Sequence, residues 1–222
     1  MKKLVAERAV DDYVKDGMTV GLGTGTTAYH AIRRIGELVS RGYDLRCVST
    51  SAQTDRIAED CGIEVVPLCD VPHIDVTIDG ADEVDPELQL IKGLGGALLK
   101  EKIVAAATVL EVIVVDETKL VDKLGSRCPL PVEVVPFGHS RTAYALGKQG
   151  CEPVLRMDGD GVFVTDSGNY IYDCRFDGIA SPFFLETRLN VIPGVVENGL
   201  FLNTASAVLV SRADGSVTLM ER

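Results

Sequence analysis

From Lys2 to Lys15, the apolar side chains Leu4, Val5, Ala9, Val10, Tyr13 and Val14 fall on roughly one helical face, so the chain is expected to begin with an amphipathic helix. A short strand follows at Met18 to Leu22, then a glycine-rich turn, then a helical pattern from about Thr27 to Val39. Leu45 to Ser49 and Ile63 to Leu68 read as strands with a helix between them. Ile74 to Asp79 and Leu110 to Asp116 are short β-branched runs bounded by turn residues, the pattern of parallel strands buried on both faces. Helix and strand alternate through the first 128 residues, which predicts an open α/β sheet with helices on both faces.

The texture changes at Cys128-Pro-Leu-Pro. From Val132 onward the pattern is strand, helix (about Ser140 to Gln149) and strand (Pro153 to Met157). A hairpin is expected next, with Val162 to Thr165 and Tyr170 to Asp173 flanking the turn-forming Asp166-Ser-Gly-Asn. A helix near Pro182 to Leu189 and a strand near Val195 to Leu202 complete a smaller α+β unit. Ala207 to Ser211 and Val217 to Met220, joined through Asp214-Gly215, read as strands that rejoin the first sheet. Two domains are therefore expected: 1–128 with 203–222, and an inserted lobe at 129–202.

Composition narrows the classes of function. The 222 residues are 46% hydrophobic and 25% charged, ordinary for a globular protein. No apolar run approaches the roughly 18–20 residues of a spanning helix, and acidic residues interrupt the N-terminal stretch before a signal-peptide core can form. A cytoplasmic address is expected. The net charge of −11 argues against general binding to nucleic acid or an anionic membrane. An anionic ligand would therefore need local lysines and backbone N–H groups to hold it. The six cysteines and three histidines stand singly, with no zinc-ligand spacing, so neither a metal nor another cofactor is expected.

Three segments carry candidate chemistry. Gly21-Leu-Gly-Thr-Gly-Thr-Thr lies between an expected strand and helix; its glycines allow N–H groups to point at an anion, and Thr24, Thr26 and Thr27 add hydroxyls. It lacks the Gly-Lys-Ser/Thr ending of a P-loop and is not GxGxxG; the plain alternative is a tight turn with threonine capping. Asp79-Gly-Ala-Asp-Glu-Val-Asp follows an expected strand end, where open α/β sheets place ligands. Asp79 and Asp82 stand out there, Asp85 before Pro86 reads as a turn residue, and solvated turn acids are the alternative. Calcium fits poorly, because the spacing is not that of an EF-hand. In Lys92-Gly-Leu-Gly-Gly-Ala-Leu-Leu-Lys-Glu-Lys a second glycine turn opens onto a helix, with Glu101 about two turns in. Alone, a glutamate flanked by Lys100 and Lys102 reads as part of a solvated face.

Taken together, GLGTGTTA (21–28), VSTS (48–51), DGADEVD (79–85), KGLGGALLKEK (92–102), DETK (116–119), PLPVEVVPFG (129–138) and IPGVVENGLF (192–201) resemble the ribose-5-phosphate isomerase A family in order and spacing, over nearly the whole chain. The resemblance implies a Rossmann-like α/β domain with a smaller α+β lobe. It implies interconversion of ribose 5-phosphate and ribulose 5-phosphate through a cis-enediolate, with Glu101 as general base. It places substrate contacts on Thr24, Gly25, Thr26 and Thr27, on Asp79, Gly80, Ala81 and Asp82, on Lys92, Gly93, Leu94 and Gly95, and on Lys119. Leu94 stands where some relatives have glycine. Lys92 would stabilise the enediolate, Asp79 and Asp82 would relay hydroxyl protons, and Lys119 with Lys3 would help hold the phosphate. A homodimer or homotetramer with a sugar phosphate substrate is implied.

The competing classes are a sugar-phosphate sensor, an amino-sugar phosphate deaminase and a phosphogluconolactonase. A sensor of the transcriptional type would carry a helix-turn-helix, for which the 17 residues ahead of Met18 leave no room. Ammonia or acid release would mark the two enzymes.

Overall fold

A computed structural model describes residues 1–221. The chain forms two compact units. The first comprises Met1–Ala81, Lys100–Lys119 and the chain from Asn203 onward; the second comprises Asp82–Leu99 and Leu120–Leu202. Residues 82–99 and 120–128 thus group with the second unit, whereas the change of texture at Cys128 suggested a later boundary.

In the first unit, α1 (Lys2–Tyr13), β1 (Thr19–Leu22), α2 (Ala28–Ser40), β2 (Arg46–Ser49), α3 (Ala52–Asp60) and β3 (Ile74–Asp79) follow in order. After two short strands of the second unit, β4 (Glu83–Val84) and β5 (Leu90–Ile91), come α4 (Leu98–Ala106) and β6 (Thr108–Asp116). The second unit continues with β7 (Leu130–Val134), α5 (His139–Gly147), β8 (Glu152–Leu155), β9 (Met157–Asp158), β10 (Gly161–Val162), β11 (Tyr170–Arg175), α6 (Pro182–Asn190), β12 (Val195–Asn198) and β13 (Leu200–Phe201). The strands β14 (Ala207–Ser211) and β15 (Val217–Glu221) return to the first unit.

The first unit is built on a six-stranded sheet of order β15-β14-β6-β3-β1-β2, parallel throughout except for β15. The central strand β3 is buried along nearly its whole length, which is why its sequence is a β-branched run rather than an alternation. Val5, Ala9 and Val10 of α1 and Ile32 and Ile35 of α2 share a core cluster with Val76 and Ile78, while Val104 of α4 packs with Val48 and Ile74 in another. Ile63 to Leu68, expected as a strand, forms only a bridge between Val65 and Cys47, with Val66 N–H donating to the Cys47 carbonyl. Pro67 then removes the next donor and a 3-10 turn follows at Leu68–Asp70.

The second unit contains a four-stranded sheet of order β12-β7-β11-β8 and a three-stranded one of order β13-β5-β4. The expected hairpin partly fails. The turn exists, with Thr165 N–H donating to Asn169 O and Gly168 at φ 79°. However, β11 pairs with β7 on one side and β8 on the other, so no edge remains for Val162 to Thr165. Gly161–Val162 pairs instead with Met157–Asp158. No helix among the described residues is long and apolar enough to cross a membrane.

Candidate active site

Chain order reverses direction across the first unit's sheet at β1: β2 lies on one side of it and β3 on the other. Ligands of open α/β sheets bind outside the strand C-termini at such a switch point. Here Gly23 N–H donates to the Ile78 carbonyl at 3.1 Å. The Asp79 carboxylate, only 1% exposed, accepts from Thr24 N–H at 3.1 Å and Gly80 N–H at 2.7 Å. Both bonds go to Oδ1, so the loop after β1 and the turn after β3 are tied together through one carboxylate oxygen.

A net of hydroxyls supports this loop. Thr24 Oγ1 lies 2.7 Å from Thr50 Oγ1, 2.9 Å from Ser51 Oγ and 3.1 Å from Thr54 Oγ1. Thr50 and Thr54 donate in turn to the carbonyls of Leu22 and Gly23 at 2.8 and 2.9 Å. The Thr24 hydroxyl is therefore tied into the net that supports the loop. Gly25 has φ 107°, a conformation that favours glycine, and exposed Thr26 accepts from Lys2 Nζ at 2.7 Å. Lys2 is thus the N-terminal lysine that reaches the loop; Lys3, 70% exposed, pairs with Glu7 at 3.7 Å. Thr27 is the N-cap of α2 but makes no side-chain capping bond. In the first turn of α2, Tyr29 N–H donates to Gly25 O at 2.9 Å and His30 N–H to Thr27 O at 3.0 Å, so the loop leads directly into the positive end of the helix.

Strand β6 neighbours β3, with Ile113 in register with Asp79, and runs on to Asp116. Asp116 accepts from the Thr118 amide and hydroxyl, winding the 3-10 turn Glu117–Lys119 that brings Lys119 to this edge. Glu101 sits in the first turn of α4, not two turns in, because the helix begins only at Leu98. It is 5% exposed despite its lysine neighbours. Ile74 N–H donates to the Ala107 carbonyl, which fixes the far end of α4 beside the start of β3. Since a crossover helix runs antiparallel to its strands, Glu101 lies about 9 Å back toward the edge where β3 ends.

The second unit assembles the remaining candidates. Asp82 N–H donates to Ile91 O at 2.8 Å, just ahead of the antiparallel pair β4–β5. Its Oδ2 accepts from Leu94 N–H at 2.9 Å. Lys92, 2% exposed, follows β5 directly; its N–H donates to Gly199 O at 2.9 Å and its ammonium lies 5.3 Å from the Phe201 ring centroid. Gly93, at φ 107°, makes the bend toward Leu94 and exposed Gly95. Leu94 needs no glycine: its φ is not positive, and its 41% exposed side chain points away from tight packing.

Comparison with known proteins now decides the family. The model of ribose 5-phosphate isomerase A (phosphoriboisomerase A) matches residues 46–215. The chain belongs to the ribose 5-phosphate isomerase A family. It is 53% identical to the ribose-5-phosphate isomerase A of Gloeobacter violaceus, covering 97% of this chain and 94% of the relative. With the enzyme of Parvibaculum lavamentivorans it shares 47%, covering 97% and 95%. Among solved structures, the ribose 5-phosphate isomerase of Plasmodium falciparum is 40% identical with a TM-score of 0.97, covering 100% of this chain and 97% of that one. A D-ribose-5-phosphate isomerase in complex with phospho-erythronic acid is 41% identical with a TM-score of 0.96, covering 100% and 97%.

Reading this isomerase-family sequence alone missed three supporting residues. Thr54 gives no motif signal. Glu83, within the acidic turn, is 1% exposed and accepts from the amides of Gly125, Arg127 and Cys128 at 2.6, 2.7 and 2.8 Å, so it anchors a loop. Arg156 sits in a stretch that reads simply as strand. Asp85 does serve as the expected turn residue, accepting from Glu87 and Gln89 N–H.

Proposed function

We propose that this chain interconverts D-ribose 5-phosphate and D-ribulose 5-phosphate by acid–base catalysis, with Glu101 as the base. Aldose–ketose isomerisation moves one proton between C2 and C1 and another between the neighbouring oxygens. A single carboxylate serves both carbons when the intermediate is a cis-enediolate with one face toward it. Glu101 takes the C2 proton and returns it at C1. Lys92 offsets the charge that develops on the enediolate oxygens. Asp79 and Asp82 relay hydroxyl protons, including those of furanose ring opening, and the turns Gly80–Ala81 and Gly93–Gly95 align the sugar. The phosphate rests on Gly25, Thr26 and Thr27, aided by Lys119.

The observation that carries this reading is the burial of Glu101, flanked by two lysines in sequence, in the first turn of α4. The phospho-erythronic acid bound by the similar isomerase supports it, since that ligand's carboxylate is a planar two-oxygen anion like the enediolate. Incubation with ribose 5-phosphate in D2O tests it. Ketose should appear, with any solvent deuterium it carries confined to C1, the position to which Glu101 returns the proton. Ammonia or acid release without ketose would reject it. Because lysine supplies the electrostatic assistance, exhaustive chelation should leave the rate unchanged. The same reading makes the enzyme a cytoplasmic homodimer or homotetramer, for which Phe137, 94% exposed, and Val191, 75% exposed, offer apolar surface; light scattering of the purified protein should give at least twice the monomer mass.

A further inference from the structure

Arg156 stands between β8 and β9 with its backbone held on both sides: its N–H donates to Ile171 O at 2.9 Å and its carbonyl accepts from Phe163 N–H at 3.0 Å. Its side chain, 12% exposed, spans two kinds of partner. Nε and Nη2 donate to the two Asp173 carboxylate oxygens at 3.0 and 2.5 Å. Nη1 donates to the carbonyls of Gly93 and Leu94 at 3.0 and 3.1 Å. The Phe163 ring lies 5.7 Å from the guanidinium carbon, and a Cβ on Gly96 would stand 2.4 Å from the same ring, so the turn is pressed against this assembly.

We infer that Arg156, fixed by Asp173, is a positioning residue for the reaction: it clamps the turn after Lys92 by two carbonyls and so holds Leu94 N–H on the Asp82 carboxylate. This rests on the roles given above to Lys92 and Asp82. The peptide between Gly93 and Leu94 is gripped on its oxygen by Arg156, while the Leu94 N–H of the same peptide is given to Asp82. Rotation of that peptide would break both bonds together. A planar five-donor fork satisfies a carboxylate and two carbonyls at once; an ammonium cannot. Misplacement of a catalytic turn by about 1 Å can cost about 10²-fold in rate.

The test compares Arg156→Lys, Arg156→Met and Asp173→Asn with wild type, reading kcat, KM for ribose 5-phosphate, Tm, and the Leu94 amide proton shift. The clamp predicts that kcat falls about 10- to 100-fold in Arg156→Met with KM changed less than about threefold, that Arg156→Lys and Asp173→Asn fall between it and wild type, and that the Leu94 amide moves upfield in all three. If Arg156→Met does not fold, the other two variants carry the test. Folded variants with wild-type kcat, or with an unmoved Leu94 amide, overturn the inference. A wild-type protein without isomerase activity whose Leu94 amide still responds would instead reject the functional reading beneath it.

Discussion

A methyl group on Gly23 would stand 2.2 Å from Asp79 Oδ1 and 2.6 Å from its Cα, closer than any real contact allows. Gly23→Ala must therefore displace the carboxylate or the loop, and about 10²-fold should be lost from kcat/KM. Gly25→Ala meets no protein atom within 4 Å, so its cost to stability is the backbone strain at φ 107°, about 1–2 kcal/mol in a chemical melt. Steady-state kinetics of Gly23→Ala checks the first of these: kcat/KM within a few-fold of wild type would mean that close approach to Asp79 is not what this glycine provides. Lys92→Met should lower kcat by about 10²–10³ if its ammonium faces the developing charge. At this scale the motifs were readable, because glycine alternation and clustered acids carry their chemistry in their types. What was not readable is which hydroxyl is structural. Nothing in Gly-Thr-Gly-Thr-Thr says that Thr24 turns into a net with Thr50, Ser51 and Thr54. Nor does Lys100-Glu101-Lys102 announce a buried glutamate.

Strands and helices with strong periodicity follow from the sequence: Ile74 to Asp79 is a strand with those very bounds, and α1, α2 and α6 differ by a residue or two at their ends. The readings that fail are those in which a partner decides the outcome. Val162 to Thr165 has strand composition, but β11 already has two neighbours. Val195 to Leu202 divides at Gly199, where a Cβ would come 2.3 Å from the Lys92 carbonyl. On β7, Glu133 is buried and accepts from Thr165 Oγ1 and Asn169 Nδ2, both at 2.9 Å. Burial raises its pKa above the ordinary carboxylate range, and those two hydrogen bonds only partly oppose the shift. Between the unfolded pKa and the raised folded one, the native state holds the extra proton, so stability declines as pH rises through that window. Glu133→Gln removes the ionisation and should raise Tm more at pH 7 than at pH 4. An equal increment at both values would show that the carboxyl is not buried at this cost.

Each unit has a core thiol that reports on its own opening. Cys47, fully buried in the first unit, is pushed up to about 12 by desolvation, and Cys174 in the second is also raised, through its contact with Cys151 and its burial. At pH 8, exposed Cys69 should be alkylated in the native protein, whereas Cys47 and Cys174 should react only at the rate of unfolding. Native-state labelling of Cys47 as fast as Cys69 would contradict the packing of the first unit. The division itself was only half visible in sequence, because Asp82–Leu99 looks like one more piece of the alternating α/β pattern yet forms its sheet with β13, far along the chain. In the proposed mechanism the chemistry rests on a single proton carrier. Turnover and substrate binding by Glu101→Gln measure that most directly: kcat should fall by about 10³ or more while ribose 5-phosphate binds within a few-fold of wild type. Turnover within tenfold of wild type would show that another group moves the proton.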